Sequence, residues 1–335
     1  MISNNKRFYT VCICTTILAF TVVLLGAYTR LSESGLGCPD WPGCYGHLKV
    51  PQDPHVIASL AKLYPQAPFD QQKAWPEMLH RYFAASLGIL IVIVAAGCLR
   101  RRLYKFASGC LLLLGIQGLL GMWTVTWKLH PLTVMGHLMT GMTLSSLLWF
   151  ISLKNTATSQ PLKTHPLSKW IILVLLLLFT QIFLGAWTSA NYAALSCPDF
   201  PTCRGSFWPN MDFKQAFSFL HPIGLNYQGG ILSDPARIAI HISHRYGALI
   251  TAAAIFLLAF SLLRKNHSLC RKPTLCLLCL LLLQMTLGAT NILKSLPLPI
   301  ALLHNGTALL LAFNLIFLYY RLQQEEANYA ANTPS

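Results

Sequence analysis

Apolar residues gather along this chain into eight long runs separated by polar segments. The runs fall at roughly 8–29, 79–99, 106–127, 133–153, 169–190, 238–263, 273–293 and 299–320. About 20 consecutive apolar residues are enough for a helix to cross the hydrocarbon core of a bilayer. The pattern therefore predicts an all-α polytopic membrane protein with eight transmembrane helices.

The composition agrees with this prediction. The 335 residues are 54% hydrophobic and 10% charged, with a mean hydropathy of +0.52. Soluble domains carry about 25% charged residues, and disordered chains hold too few apolar residues to form a core. The composition therefore disfavours a water-soluble enzyme and excludes a disordered chain.

Basic residues exceed acidic ones, 25 to 10, which gives a formal net charge of +15. In a soluble protein this excess would indicate nucleic-acid binding. Here, fourteen of the basic residues lie in five clusters between the runs: Lys6 and Arg7; Arg100, Arg101, Arg102 and Lys105; Lys154, Lys163 and Lys169; Arg264, Lys265, Arg271 and Lys272; and Arg321. The positive-inside rule places such clusters in the cytoplasm. We therefore expect no nucleic-acid partner, cytoplasmic termini, and long outer loops at about 30–78 and 191–237.

Short motifs recur in the same order in both halves of the chain. The pairs are Cys38-Pro-Asp-Trp-Pro-Gly-Cys44 with Cys197-Pro-Asp-Phe-Pro-Thr-Cys203, His80-Arg81-Tyr82 with His244-Arg245-Tyr246, and His137 with His304. Each half has four spans, so both halves enter the membrane in the same orientation, and a repeat axis would run along the membrane normal. We therefore predict that residues 1–155 and 156–335 form two four-helix bundles related by a pseudo-twofold axis.

The end of the first run also recurs. Leu25-Gly26-Ala27-Tyr28-Thr29 is echoed by Leu120-Gly121-Met122-Trp123-Thr124, by Leu184-Gly185-Ala186-Trp187-Thr188 and, more weakly, by Leu287-Gly288-Ala289-Thr290. A cleaved signal peptide would not share such a repeat. The first run is therefore expected to be a retained span.

Each outer loop carries one cysteine pair that is closed by a proline-rich turn. Disulfides persist in oxidising compartments such as the periplasm, so we predict the bridges Cys38–Cys44 and Cys197–Cys203. The alternative is a free thiol pair or an electron-relay dithiol. The other seven cysteines lie in or near the spans, where packing is the expected role, and a zinc site has little support.

Four histidines, His80, His137, His244 and His304, lie near the outer ends of the even-numbered spans. Ionisable residues inside membrane spans are costly and indicate function by default, although a lone histidine is commonly a packing residue. Imidazole binds zinc, copper or haem iron. Pairs on separate helices, without nearby carboxylate or thiol ligands, suit the axial positions of a planar haem. We therefore pair His80 with His137 and His244 with His304, as iron ligands at two haem sites.

An arginine follows the first histidine of each pair. Guanidinium groups form bidentate pairs with carboxylates, so Arg81 and Arg245 are candidate partners of haem propionates. The alternative is that both arginines extend to the outer interface of the membrane.

The two halves differ one helical turn before these histidines. The first half has Glu77 three residues before His80, and the second has His241 three residues before His244, so each pair shares one helical face. A carboxylate at this place can act as a general base or stabilise a cationic intermediate, whereas the alternative is that Glu77 only marks a helix start. The asymmetry predicts that the first half reacts and the second serves it, by electron transfer or structurally.

These features together resemble the heme A synthase family over nearly the whole chain. The resemblance rests on the eight spans, the loop cysteine pairs, Glu77-x-x-His80, His137, His244 and His304. It implies a membrane-bound oxidoreductase that converts the methyl group at ring position 8 of heme O to a formyl group, giving heme A for terminal oxidases. The route would be successive hydroxylations followed by loss of water.

The resemblance also implies roles for individual residues. His80 and His137 would hold the substrate heme O, and Glu77 would be needed for turnover. His244 and His304 would hold a haem b cofactor that passes electrons. His241 leaves open which histidine is the ligand in the second half. The loop histidines His47, His55, His165, His221 and His267 have no expected role.

The resemblance further implies a bacterial cytoplasmic (inner) membrane location and a link to heme O synthase, which supplies the substrate. The sequence does not identify the membrane electron donor, and a monomer and a homo-oligomer both fit it. Two other functions stay open. One is a di-haem b-type electron-transfer protein; the other is a transporter, since parallel repeats also occur in transporters.

Overall fold

The protein is built from α-helices. The computed structural model describes residues 2–154, 165–264 and 269–332. The helices are α1 (Ile2–Leu31), α2 (Pro54–Leu63), α3 (Gln71–Arg100), α4 (Tyr104–Thr126), α5 (Pro131–Lys154), α6 (Leu167–Ala190), α7 (Phe213–Ala216), α8 (Asp234–Arg264), α9 (Arg271–Leu293) and α10 (Leu298–Asn332). All except α2 and α7 are long and apolar enough to cross a bilayer. The predicted all-α class with eight candidate spans is confirmed.

Some predicted features lie outside the described residues. These are the boundary between the two halves at 155/156, the basic residues Lys163 and Lys265, and His267.

Several helices extend beyond the apolar runs that predicted them. The largest extension at a helix N-terminus is in α3, which begins at Gln71 and not near residue 79. The Asp70 side chain accepts hydrogen bonds from the backbone N–H groups of Gln72, at 2.9 Å, and Lys73, at 3.3 Å, and such a cap satisfies donors that have no partner inside the helix. The first two turns of α3 contain too many polar residues to be recognised as part of an apolar run. Glu77 therefore lies well inside the helix, and the interpretation that it marks the helix start is wrong.

The spanning helices contact one another in the same order in each half. Helix α1 packs against α3 and α5, and α4 packs against the same two helices; in the second half, α6 and α9 each pack against α8 and α10. The halves meet where α5 contacts α6 and α10, and where α1 contacts α10. The division into two bundles related by a pseudo-twofold axis stays a prediction.

Hydrogen bonds tie the halves together at two depths. The Trp149 indole N–H donates to the Phe313 carbonyl, at 2.9 Å, between α5 and α10. At the C-terminal ends of α1 and α6, the Arg30 guanidinium donates to the Ser189 carbonyl, at 2.5 Å, and lies 4.0 Å from the centre of the Tyr192 ring. In lipid, helices associate through close packing and interhelical hydrogen bonds. These contacts hold together the helices that carry the four histidines.

Candidate functional site

The four histidines lie at matching places in the fold. His80, His137, His244 and His304 belong to the first three turns of α3, α5, α8 and α10, the helices that would begin at the outer side. All four side chains are half-buried. The structure therefore places these four predicted ligands at equivalent depths in the two halves.

A glycine on a neighbouring helix faces each of these imidazoles. A Cβ atom at Gly26 or Gly185 would lie 2.9 or 3.0 Å from the Cε1 atom of His80 or His244. A Cβ atom at Gly121 or Gly288 would lie 3.2 Å from Cε1 of His137 or His304. A larger residue would therefore push the ring away. Each glycine stands five residues before the end of its helix, in α1, α4, α6 and α9. The repeated Leu-Gly motif thus provides a seat for each imidazole.

The histidine pair of the first half has the spacing of two ligands on one iron. The ring centres of His80 and His137 lie 6.3 Å apart, with an angle of 84° between the ring planes. Two nitrogen–metal bonds of about 2 Å each would separate two imidazole centres by roughly 6 Å. The Nδ1 atoms of both rings are buried without a hydrogen-bond partner, which is unusual for buried polar atoms. This donor set fits a haem iron.

The second pair is supported by glutamines. The Gln181 side-chain amide lies 2.9 Å from Nδ1 of His244, and the Gln284 amide lies 3.3 Å from Nε2 of His304. Among the described residues, no three His, Cys, Asp or Glu side chains come together as ligands for a metal ion. Paired imidazoles fit the two axial positions of a haem better than the four ligands of a structural zinc site.

Both carboxylate oxygens of Glu77 are engaged. Oε2 accepts a hydrogen bond from the Cys38 backbone N–H at 2.8 Å, and Oε1 pairs with the Arg81 guanidinium at 2.5 Å. The side chain is buried, and it lies one turn before His80. Glu77 therefore joins the outer loop to the helical turn that carries a candidate ligand, and its charge is balanced by a single arginine.

The two arginines also hold the loops. Arg81 donates to the carbonyls of Asp40, at 2.9 Å, Pro42, at 3.2 Å, and Gly43. In the second half, Arg245 donates to the carbonyls of Cys197 and Asp199, both at 2.9 Å, and Thr202, at 2.7 Å. Both guanidinium groups thus bond to carbonyls of their own loops and to the side chain four residues before them, which is Glu77 for Arg81 and His241 for Arg245. Their contact with haem propionates stays a prediction.

The predicted disulfides are present, and the two loops are built alike. Cys38 is bonded to Cys44 and Cys197 to Cys203, with Cα atoms 4.7 Å apart in each pair. In the second loop, the Asp199 carboxylate accepts hydrogen bonds from the backbone N–H of Gly205, at 2.9 Å, and the Thr202 hydroxyl, at 2.5 Å. These bonds hold the pKa of Asp199 below its usual range. In the first loop, Asp40 accepts from the backbone of Tyr45 and Gly46 in the same way.

The tyrosines of the repeated motif complete the loop contacts. The hydroxyl of Tyr82 donates to the Leu48 carbonyl at 2.7 Å, and that of Tyr246 to the Phe207 carbonyl at 2.8 Å. In both copies of His-Arg-Tyr, the histidine faces a glycine and the other two side chains hold the loop. The repeated His-Arg-Tyr motif thus makes the same contacts in both halves.

His241 occupies the place of Glu77 in the second half. Its Nε2 atom accepts a hydrogen bond from Nε of Arg245 at 3.3 Å, and the side chain is buried. His244, by contrast, is seated on Gly185. The geometry therefore favours His244 over His241 as the ligand in the second half.

Sequence reasoning missed the partners of the imidazoles. The glycines were visible as a repeated motif, but only as a sign of duplication. The glutamines at positions 117, 181 and 284 stand four residues before three of these glycines, so the signal was available in the spacing. His130 was also missed. The centre of its ring lies 5.1 Å from that of Tyr227 and 6.2 Å from that of His221. His130 therefore connects the short segment after α4 with the loop at 191–237.

Comparison with known proteins agrees with the geometry. Residues 9–316 match the family model described as cytochrome oxidase assembly protein. A heme A synthase of Shewanella oneidensis is 41% identical over 319 residues, which cover 94% of this chain and 96% of that protein. The chain belongs to the heme A synthase family.

More distant relatives carry the same name. Heme A synthases of Rhizobium rhizogenes and Caulobacter vibrioides are 28% and 27% identical to this chain, of which they cover 89% and 88%. The matches cover 84% and 90% of these relatives. Membership in the heme A synthase family and the eight apolar helices make the chain a multi-pass membrane protein.

Proposed function

We propose that this protein oxidises the C8 methyl group of heme O to a formyl group and so produces heme A. The observation that carries the proposal is the facing pair His80 and His137, 6.3 Å apart, with buried Glu77 one turn before His80. Membership in the heme A synthase family supports the same reaction. The overall change is a four-electron oxidation of the methyl group. In each of two hydroxylations a C–H bond would be replaced by C–OH, with dioxygen as the oxidant and with two electrons and two protons reducing its second oxygen atom to water. The geminal diol so formed would lose water to give the formyl group.

In the first half, the chain would bind and orient the substrate. His80 and His137 would hold the substrate iron from two helices, which fixes the porphyrin between them. Glu77 would accept and return protons during hydroxylation and loss of water, because a positioned carboxylate can do both. The disulfide loop, held by Arg81 and the Cys38 backbone contact, would cover the outer side of this turn.

In the second half, His244 and His304 would hold a haem b. When bound, this group supplies electron transfer. No acid stands next to it at the equivalent of Glu77, since His241 and Arg245 fill that position. Arg81 and Arg245 already donate hydrogen bonds to loop carbonyls. To contact haem propionates as well, each guanidinium group would have to bond to a propionate and to the loop at the same time.

We infer a bacterial inner-membrane location with both termini in the cytoplasm. The basic clusters between the spans support this orientation, as does the disulfide bond in each long loop. Heme O synthase, as the source of the substrate, is the expected partner in the same bilayer. The electron donor would be another membrane component.

Conversion in cells tests the proposed reaction. We expect that a bacterial host without its own heme A synthase, supplied with heme O synthase and this chain, accumulates heme A. Haems extracted from the membranes and separated by chromatography provide the readout, with heme O synthase alone as the control. Accumulation of heme O without heme A, at normal levels of the protein, would contradict the proposal. It would favour the di-haem b-type electron-transfer alternative.

A further inference from the structure

We propose that Gln181 is a positioning residue that holds His244 for permanent haem binding, and that His80, the repeat-related ligand of the first half, lacks such a residue. The proposal rests on the proposed function, since it concerns how the second-half haem is retained while the first-half haem is exchanged. It assigns a role to a side chain outside the four imidazoles and Glu77.

The sequence repeat isolates this residue. The position four residues before each seating glycine is Gln117, Gln181 and Gln284 in α4, α6 and α9, but Val22 in α1. Val22 and Gln181 are repeat-related, because both precede the glycine that seats the first histidine of their half. Both ligands of the second half therefore have a glutamine neighbour. In the first half His137 has one, because the Gln117 amide donates to the His137 carbonyl at 2.9 Å, but His80 does not.

The glutamine is accommodated by a glycine on the histidine helix. A Cβ atom at Gly247, three residues after His244, would collide with the Gln181 side-chain oxygen. The residue at the repeat-related position of the first half is Phe83, three residues after His80. The pair Gln181 and Gly247 is thus replaced by Val22 and Phe83. The glutamine and the glycine that accommodates it therefore occur together at His244 and are both absent at His80.

The amide of Gln181 contacts His244 twice. Its nitrogen lies 2.9 Å from Nδ1 of the ring and 2.9 Å from the backbone carbonyl of the same residue. Its oxygen is buried without a partner. A buried amide oxygen beside an imidazole is therefore available to accept one more hydrogen bond.

Iron binding through Nε2 would use that oxygen. A neutral imidazole that gives Nε2 to a metal carries its proton on Nδ1, and this N–H needs an acceptor. Turning the Gln181 amide would present its oxygen to Nδ1–H, in exchange for the bond that the amide nitrogen now donates to the His244 carbonyl. Such partners fix the tautomer and ring orientation and raise the basicity of the ligand, and their loss typically costs about 10–100-fold in metal affinity.

His80 has only a backbone group in the corresponding place. The carbonyl of Val22 faces its ring, but Nδ1 has no hydrogen bond of good geometry. A weaker partner suits a ligand that must release its haem after each turnover. The contrast between Gln181 and Val22 therefore separates a retaining site from an exchanging one.

Haem retention and potential test the role of Gln181. Purified Gln181→Leu and Gln181→Glu variants are compared with the unmodified protein by transfer of haem B to apomyoglobin and by redox titration. We expect Gln181→Leu to release haem B about 10-fold faster or more and to raise its midpoint potential, because the ligand donates less charge to iron. Gln181→Glu, a stronger acceptor of nearly the same shape, should lower the potential.

Thr180→Val on the same helix is the matched control, since its exposed hydroxyl bonds only to the Leu176 carbonyl of its own helix. It should leave release rate and potential unchanged. The inference would be overturned if both Gln181 variants released haem B at the rate of the unmodified protein and had its midpoint potential. It would also be overturned if the midpoint potentials of the two variants shifted in the same direction. If the unmodified protein itself holds no haem B, the proposed function is wrong, and the role of Gln181 is wrong with it.

Discussion

Replacing Glu77 by glutamine is expected to abolish heme A formation while both haems stay bound. The amide keeps the shape of the carboxylate and an oxygen that can accept the Cys38 backbone bond, so the loop stays attached. It cannot take up a proton as the carboxylate does. General acid–base catalysis contributes typically 10²–10⁴-fold, and we expect a loss of about 100-fold or more. Chromatography of membrane haems measures the product.

The glutamine substitution is preferable to alanine at this position. Both substitutions remove the counter-charge of Arg81, and breaking a buried pair typically costs about 3–5 kcal/mol. Glutamine still fills the space and keeps an amide oxygen that can accept a hydrogen bond, whereas alanine removes both. Glu33→Gln is the matched control, because Glu33 is an exposed acid in the loop that follows α1. Normal heme A formation in Glu77→Gln, with an unchanged haem content, would show that Glu77 serves only to hold the loop.

Loss of His244 or His304 is expected to remove haem B selectively. Each variant leaves one imidazole where two would bind. Loss of a residue that only supports a ligand typically lowers metal affinity about 10–100-fold, and loss of the ligand itself should lower it at least as much. We therefore expect at least 10-fold less haem B per polypeptide and loss of its low-spin spectrum. The first-half pair should still hold substrate haem. Absorbance spectra of purified variants, together with extracted haems, measure both.

Two further substitutions sharpen this result. His241→Ala should keep the haem B spectrum, because His241 binds Arg245 and is not seated on a glycine. His55→Ala, at an exposed position in α2, is the general control. An unchanged haem B spectrum in both His244→Ala and His304→Ala would refute the ligand assignment for the second half.

Much of the fold could be predicted from the sequence, because the bilayer imposes length and polarity on each span. The predicted runs missed the polar first turns of α3, where Asp70 and its hydrogen bonds, not apolar residues, set the helix start. The short helices α2 and α7 carry no long apolar run, so hydropathy could not reveal them.

The candidate site was predicted in part. Repetition at matching positions identified the four histidines and both disulfides, since duplication preserves spacing in sequence. The partners of each side chain depend on how helices face one another. Spacing along one helix therefore could not show that Arg81 reaches loop carbonyls, or that Gly185 seats His244.

Pigment analysis of the purified protein tests the central claim most directly. The claim is that two imidazole pairs, on four helices, hold two iron porphyrins of different identity. Protein from cells that also contain heme O synthase and ample porphyrin precursor is extracted and its haems are separated and counted per polypeptide. The account predicts haem B together with heme O or heme A. A preparation without iron porphyrin would contradict it.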